Sequence, residues 1–174
     1  MAAAVLVAGR NRTVPERRVV VTADEPDATA GIGRRPGIIR LDGLGSIEFG
    51  DTQQELADRG LLEPQPAGCG PSLAGLPTAS PVFVDNRLVL LWVDPSTATP
   101  EGVTAGTPVT RVREHYPRVT RLRAPAGSYR FDGLLARRGD RAYLFLHDGH
   151  TVRKTIAGYA TYARKFFTEG IGPC

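Results

Sequence analysis

A chain of 174 residues with 41% apolar residues can form one domain, or two small halves that share a core. Its 20 glycines and 14 prolines argue against an architecture of long helices, and a net charge of +4, from 22 bases and 18 acids, is too modest to mark a nucleic-acid binder. Only Lys154 and Lys165 are lysines, so arginine supplies nearly all the positive charge; with the Ala, Gly and Pro bias, this reads as a GC-rich coding preference rather than a functional signal.

Residues 1–9, MAAAVLVAG, are apolar but far shorter than the roughly 20 residues that cross a bilayer. Arg10, Arg12, Arg17 and Arg18 follow this run, whereas a complete signal peptide carries its basic residues first. Two readings stay open: an ordinary start, or the tail of a longer signal or membrane-anchor segment, which the cysteines favour. From Asn11 to Pro36 the chain is polar and broken by Pro15, Pro26 and Pro36, so residues 1–36 are expected to be an amino-terminal arm or linker.

A single α+β domain is expected over residues 37–174, in two related halves of about 37–95 and 96–174. Ile38–Leu41 and Ser46–Phe49 read as short strands around an Asp-Gly-Leu-Gly turn. A helix follows, with Asp51 expected as its cap, Gln54 as the capping-box partner and Gly60 at its end. Residues 63–81 lack periodicity and form a long loop carrying Cys69. Val82–Asp85 and Leu88–Val93 are strands flanking a turn at Asn86-Arg87, and the second is apolar on both faces, as at a sheet centre.

Thr99–Pro117 repeats the strand-turn-helix design. Thr107 is the expected cap, Pro108 fits the first helical position, Val109, Val112 and Tyr116 recur at helical spacing, and Pro117 stops the run. Ile47, Gly50, Asp51 and Leu56 align with Val103, Gly106, Thr107 and Val112 at one constant offset, which predicts an internal duplication.

Thr120–Arg123, Ser128–Leu135, Ala142–His147 and Thr151–Ala157 give four more strands, and YATYARKFFTEG gives a final short helix. In the third of these strands Tyr143, Phe145 and His147 alternate with Ala142, Leu144 and Leu146. With the aliphatic set beneath the two helices, the aromatic set, joined by Tyr129 and Phe131, is the expected binding surface on the opposite sheet face. Burial of these aromatics is the competing outcome. Arg111, Arg113, Arg118, Arg121 and Arg123 form a basic stripe that reads as a solvated face, and no nucleic-acid motif accompanies it, so no nucleic-acid partner is expected.

Cys69 and Cys174 are the only cysteines, set in Gly-Cys-Gly-Pro and Gly-Pro-Cys, and an even count in such loops predicts a disulfide between them. The competing reading is two free thiols in a cytoplasmic protein. A Cys69 nucleophile served by His147 and Asp148 is the sharpest enzymatic alternative, but no local pattern brings these residues together. His147 and His150 are separated by Asp148-Gly149, a hairpin turn, and lack an evident third ligand, so neither a metal nor a cofactor is expected.

The segment IEFGDTQQELADRGLL from Ile47, the following loop cysteine, TPEGVTAGTPVTRVREHYP from Thr99 and the late cysteine resemble a group of actinobacterial secreted or lipid-anchored proteins of uncharacterised function. The likeness covers roughly residues 40–174. More remotely, the helix-after-glycine units and the sheet resemble the fold shared by beta-lactamase inhibitor protein and BamE-type outer-membrane assembly lipoproteins, which bind proteins rather than catalyse reactions. The resemblance implies an antiparallel sheet with two short helices on one face, in an extracytoplasmic, non-catalytic module that binds a protein or cell-envelope component. The alternative is a small enzyme or small-molecule binder with a cleft near Cys69 and His147.

Overall fold

The computed structural model describes residues 37–63, 70–128 and 130–170. The expected amino-terminal arm, the Cys69–Cys174 disulfide and the role given to Tyr129 lie outside those residues. The described chain opens with three two-residue strands, Gly37–Ile38 (β1), Gly43–Leu44 (β2) and Ile47–Glu48 (β3), and the helix Gln53–Asp58 (α1). Leu62–Glu63 (β4), Ser72–Leu73 (β5), Ala79–Val84 (β6), Arg87–Val93 (β7) and Thr97–Ala98 (β8) complete the first half. The second half holds the helix Val109–His115 (α2), the strands Thr120–Leu122 (β9), Asp132–Arg138 (β10), Arg141–His147 (β11) and Val152–Tyr159 (β12), and the helix Ala160–Glu169 (α3).

Six strands form one antiparallel sheet in the order β6-β7-β12-β11-β10-β9. Both faces are covered. On one, Leu56 of α1 and Val109 and Val112 of α2 pack in a core with Leu88, Leu91, Tyr143 and Phe145. On the other, Ala160, Ala163, Phe166 and Phe167, spaced along one side of α3, pack on Leu90, Leu144, Leu146 and Ile156. The expected sheet with two short helices on one face therefore forms, and α3 supplies a layer on the reverse face. The turn between β6 and β7 falls at Asp85-Asn86, one residue before the expected position; both residues have positive φ (49° and 62°), as a two-residue hairpin turn requires.

The two halves share more than a sequence echo. Gly50 N–H donates to Leu88 O (2.9 Å) and Leu88 N–H to Asp51 O (2.8 Å); in the second half Gly106 N–H donates to Val152 O (2.7 Å) and Val152 N–H to Thr107 O (2.9 Å). The first amide of each helix is also satisfied by a hairpin turn, Gln53 N–H by Asn86 O (3.1 Å) and Val109 N–H by His150 O (2.9 Å). Each hairpin carries a register shift at the matching place, between Val82 and Phe83 and between Leu146 and His147, leaving Val89 and Arg153 as the extra residues. The hairpins meet along β7 and β12, where Trp92 pairs with Ile156, flanked by Val93 with Thr155 and Leu91 with Ala157. Exchanging the halves turns one flanking pair into the other, so a local two-fold axis runs through the Trp92–Ile156 pair.

The expected caps are corrected by one residue. Asp51 and Thr107 do occupy equivalent surroundings, but their side chains accept from amides upstream, Glu48 N–H (3.0 Å) and Thr104 N–H (3.0 Å), and so close the turn before each helix. Thr52 caps α1 in a capping box: its Oγ1 accepts from Glu55 N–H (3.1 Å) while the Glu55 carboxylate accepts from Thr52 N–H (2.7 Å). These bonds to Thr52 hold the Glu55 carboxyl below its ordinary value. Pro108 stands at the N-cap of α2 with no side-chain cap bond, the hairpin carbonyl having taken over that task.

Candidate functional site

An open cleft of about 1000 Å³ lies where four segments distant in sequence converge. The chain after β1 contributes Arg40, Leu41 and Asp42; the turn before α2 contributes Pro100 and Glu101. His115 to Arg118 come from the end of α2, which Pro117 prevents from continuing, and Ala136 to Arg141 from the β10–β11 hairpin. Tyr116 and Tyr143 line it from the α2 side of the sheet, their rings 5.7 Å apart.

Hydrogen bonds fix these two rings. The Tyr143 hydroxyl donates to Ile39 O (3.1 Å), and the Tyr116 hydroxyl bonds the Glu101 carboxylate and lies 2.9 Å from Thr99 Oγ1. Burial is the main cause of a raised pKa for both phenols, and the Glu101 charge adds to it, so both stay protonated across the physiological range. They position the cleft without exchanging protons with it.

Five arginines line the cleft against three acids. Arg141 is committed to the fold: its guanidinium stacks 3.6 Å over the Tyr159 ring, pairs with Asp140 (2.8 Å) and donates to Phe49 O (3.3 Å). Arg137 donates through Nε to Gly139 O (2.7 Å). Arg40, Arg118 and Arg138 are exposed and make no ion pair among the described residues. Their charge is thus available to a ligand.

The aromatic surface expected at Tyr143 and Phe145 is corrected by the packing. Phe145 is 0% exposed and Tyr143 is 3% exposed, because this side of β11, not the aliphatic side, lies beneath α2, with Tyr116 5.3 Å from Phe145. Phe131, at 37% exposure, is the one expected binding aromatic that stands at the surface among the described residues. The site missed by pattern reading, the arginine cleft, had one local signal, Arg137-Arg138 immediately before the Gly139-Asp140 turn.

His147 sits at the far end of β11 from the cleft and is only 6% exposed. Its Nδ1 accepts from Gly149 N–H (3.1 Å), and His150 is exposed within the turn, so the two histidines do not converge; no group of potential ligands able to hold a metal ion occurs among the described residues. Burial, first, lowers the His147 pKa below its ordinary 6.5; Asp132 opposes this, Arg113 reinforces it and Asp148 opposes it. The unfolded imidazole then takes up a proton before the folded one does, so stability should fall as pH drops through about 6.5 and level off below the folded pKa. Denaturant melts from pH 7.5 to 5 should show that decline in the wild type and a shallower one in His147→Asn, whose amide oxygen stands where Nδ1 does and can still accept from Gly149 N–H. Equal slopes would remove His147 as the cause.

Comparison with protein-family models, curated proteins and solved structures finds no match to this chain.

Proposed function

We propose that the chain is a non-catalytic, extracytoplasmic binding module that recognises a protein or cell-envelope component, and that the basic second half around the arginine cleft makes the contact. The extracytoplasmic placement rests on the resemblance of its motifs and on the setting of Cys69 and Cys174. The observation that carries the binding reading is a segregation of charge between halves of like architecture. Residues 37–95 hold eight acids and three bases, whereas residues 96–170 hold thirteen bases and six acids. A charge-polarised surface steers an oppositely charged partner and rejects like-charged ones. The alternative of a thiol enzyme needs Cys69 beside a base; Cys69 lies outside the described residues, and His147 is buried at 6% exposure.

The test is capture from a cell-envelope extract by immobilised wild-type protein and by the Arg118→Glu/Arg138→Glu double variant. Both side chains are exposed and unpaired among the described residues, so the variant should melt within a few degrees of wild type while retaining less than about a tenth of the captured partner. Equal capture by the two proteins would place the contact elsewhere.

A further inference from the structure

We propose that the cleft takes an extended acidic peptide segment that sets an apolar side chain between carboxylates. This rests on the binding-module reading and names the chemistry of its partner. Three features of the cleft each ask for a different part of such a segment.

The rim asks for carboxylates. Arg40, Arg118 and Arg138 reach it from separate segments with no acid paired to them among the described residues, while two of the acids in the cleft are already engaged, Asp140 by Arg141 and Glu101 by the Tyr116 hydroxyl. Guanidinium groups bind carboxylates in a two-bonded fork, and such pairs set orientation as well as affinity.

The walls ask for an apolar side chain. Leu41, Pro100, Pro117 and Ala136 lie among the arginines, and a bare polyanion would leave those walls in contact with water.

The third feature asks for a peptide backbone. β10 runs from Asp132 to Arg138, but β9 pairs only with Gly133, Leu134 and Leu135 before the chain turns away toward α2. Ala136 to Arg138 continue past that pairing along the cleft, held by β11 on one side only. In an antiparallel strand alternate residues turn N–H and C=O outward, so three unpaired positions present at least one such set, which an added strand satisfies. The other sheet edges are poor templates: β6 contains Pro81, and β9 has only three residues, the central one Arg121.

The experiment is fluorescence anisotropy with a labelled Asp-Glu-Leu-Glu-Asp peptide, its Leu-to-Ser counterpart, the same peptide with alternate backbone amides N-methylated, and inorganic polyphosphate. The leucine peptide should bind roughly tenfold more tightly than the serine or N-methylated forms, and at least about tenfold more weakly to Arg118→Ala/Arg138→Ala. Thermal melts of that variant matching wild type keep the loss attributable to the cleft. Polyphosphate binding as tightly as the peptide, with no difference between leucine and serine, would overturn the proposal in favour of plain charge attraction. Failure of every peptide while a partner is still captured in a manner sensitive to Arg118 and Arg138 would also overturn it, but leave the binding-module reading in place. Failure of both would remove both.

Discussion

Replacing Gly158 by Ala is expected to destabilise the protein by at least about 3 kcal/mol and to lower Tm by roughly 10 °C, a larger loss than at any surface position. Gly158 lies in β12, paired with Ala142 on one side and Leu90 on the other, at the seam where the two halves join. A Cβ there would lie 2.1 Å from Val89 O and 2.9 Å from Leu90 Cα, both backbone atoms, so no rotamer change can relieve the overlap. The residue also has φ 144°, which an L side chain adopts only with strain. The obstructing carbonyl belongs to Val89, the bulged residue of β7, so moving it disturbs the pairing that carries the two-fold relation between the hairpins. Gly149→Ala makes the comparison: φ there is 99°, but nothing lies within 4 Å of the added atom, and the cost should be confined to backbone strain, roughly 1–2 kcal/mol. Chemical denaturation of both variants separates the two terms, and equal losses would mean that the seam yields more easily than its geometry implies.

What the sequence makes legible here follows from how local each signal is. The two helix units were visible because glycine, a small polar residue and apolar positions recur at one spacing within a few residues of each other. Their caps were misplaced because Asp51 and Thr107 are good capping residue types whose oxygens are claimed by Glu48 and Thr104 N–H, a choice made by the turn. Alternation along β11 defined two faces correctly, yet both sets are buried and, His147 apart, aromatic or aliphatic, and nothing local decides which meets α2 and which meets α3. The decision comes from Tyr116, whose ring packs on Tyr143 and Phe145, and from Phe166 and Phe167 of α3, which pack with the aliphatic set. The cleft was hidden for a different reason: its rim residues Arg40, Arg118 and Arg138 come together only through tertiary contacts. The opposite charge of the two halves, by contrast, was present in the sequence, but the whole-chain total of +4 conceals it.

Phe145→Ala should cost about 3–5 kcal/mol, the range for a buried aromatic cut back to a methyl group. Phe145 is fully buried, paired across the sheet with Leu134 and Thr155, and ringed on the helix side by Tyr116 at 5.3 Å and Tyr143 at 5.9 Å. Truncation leaves a cavity under α2 that little can fill, because the Tyr116 and Tyr143 hydroxyls are anchored at Glu101 and Ile39 and hold their rings in place. α2 and its terminal turn also supply one wall of the arginine cleft, so loosening this packing should weaken ligand binding and stability together. Arg138→Ala should do the reverse, reducing binding while leaving the melt unchanged. Measuring Tm and peptide affinity on both variants therefore separates a surface contact from a structural one. Phe145→Ala with a wild-type melt and lost binding would restore β11 as the contact face, and would require α2 to lift away from the sheet when the partner docks.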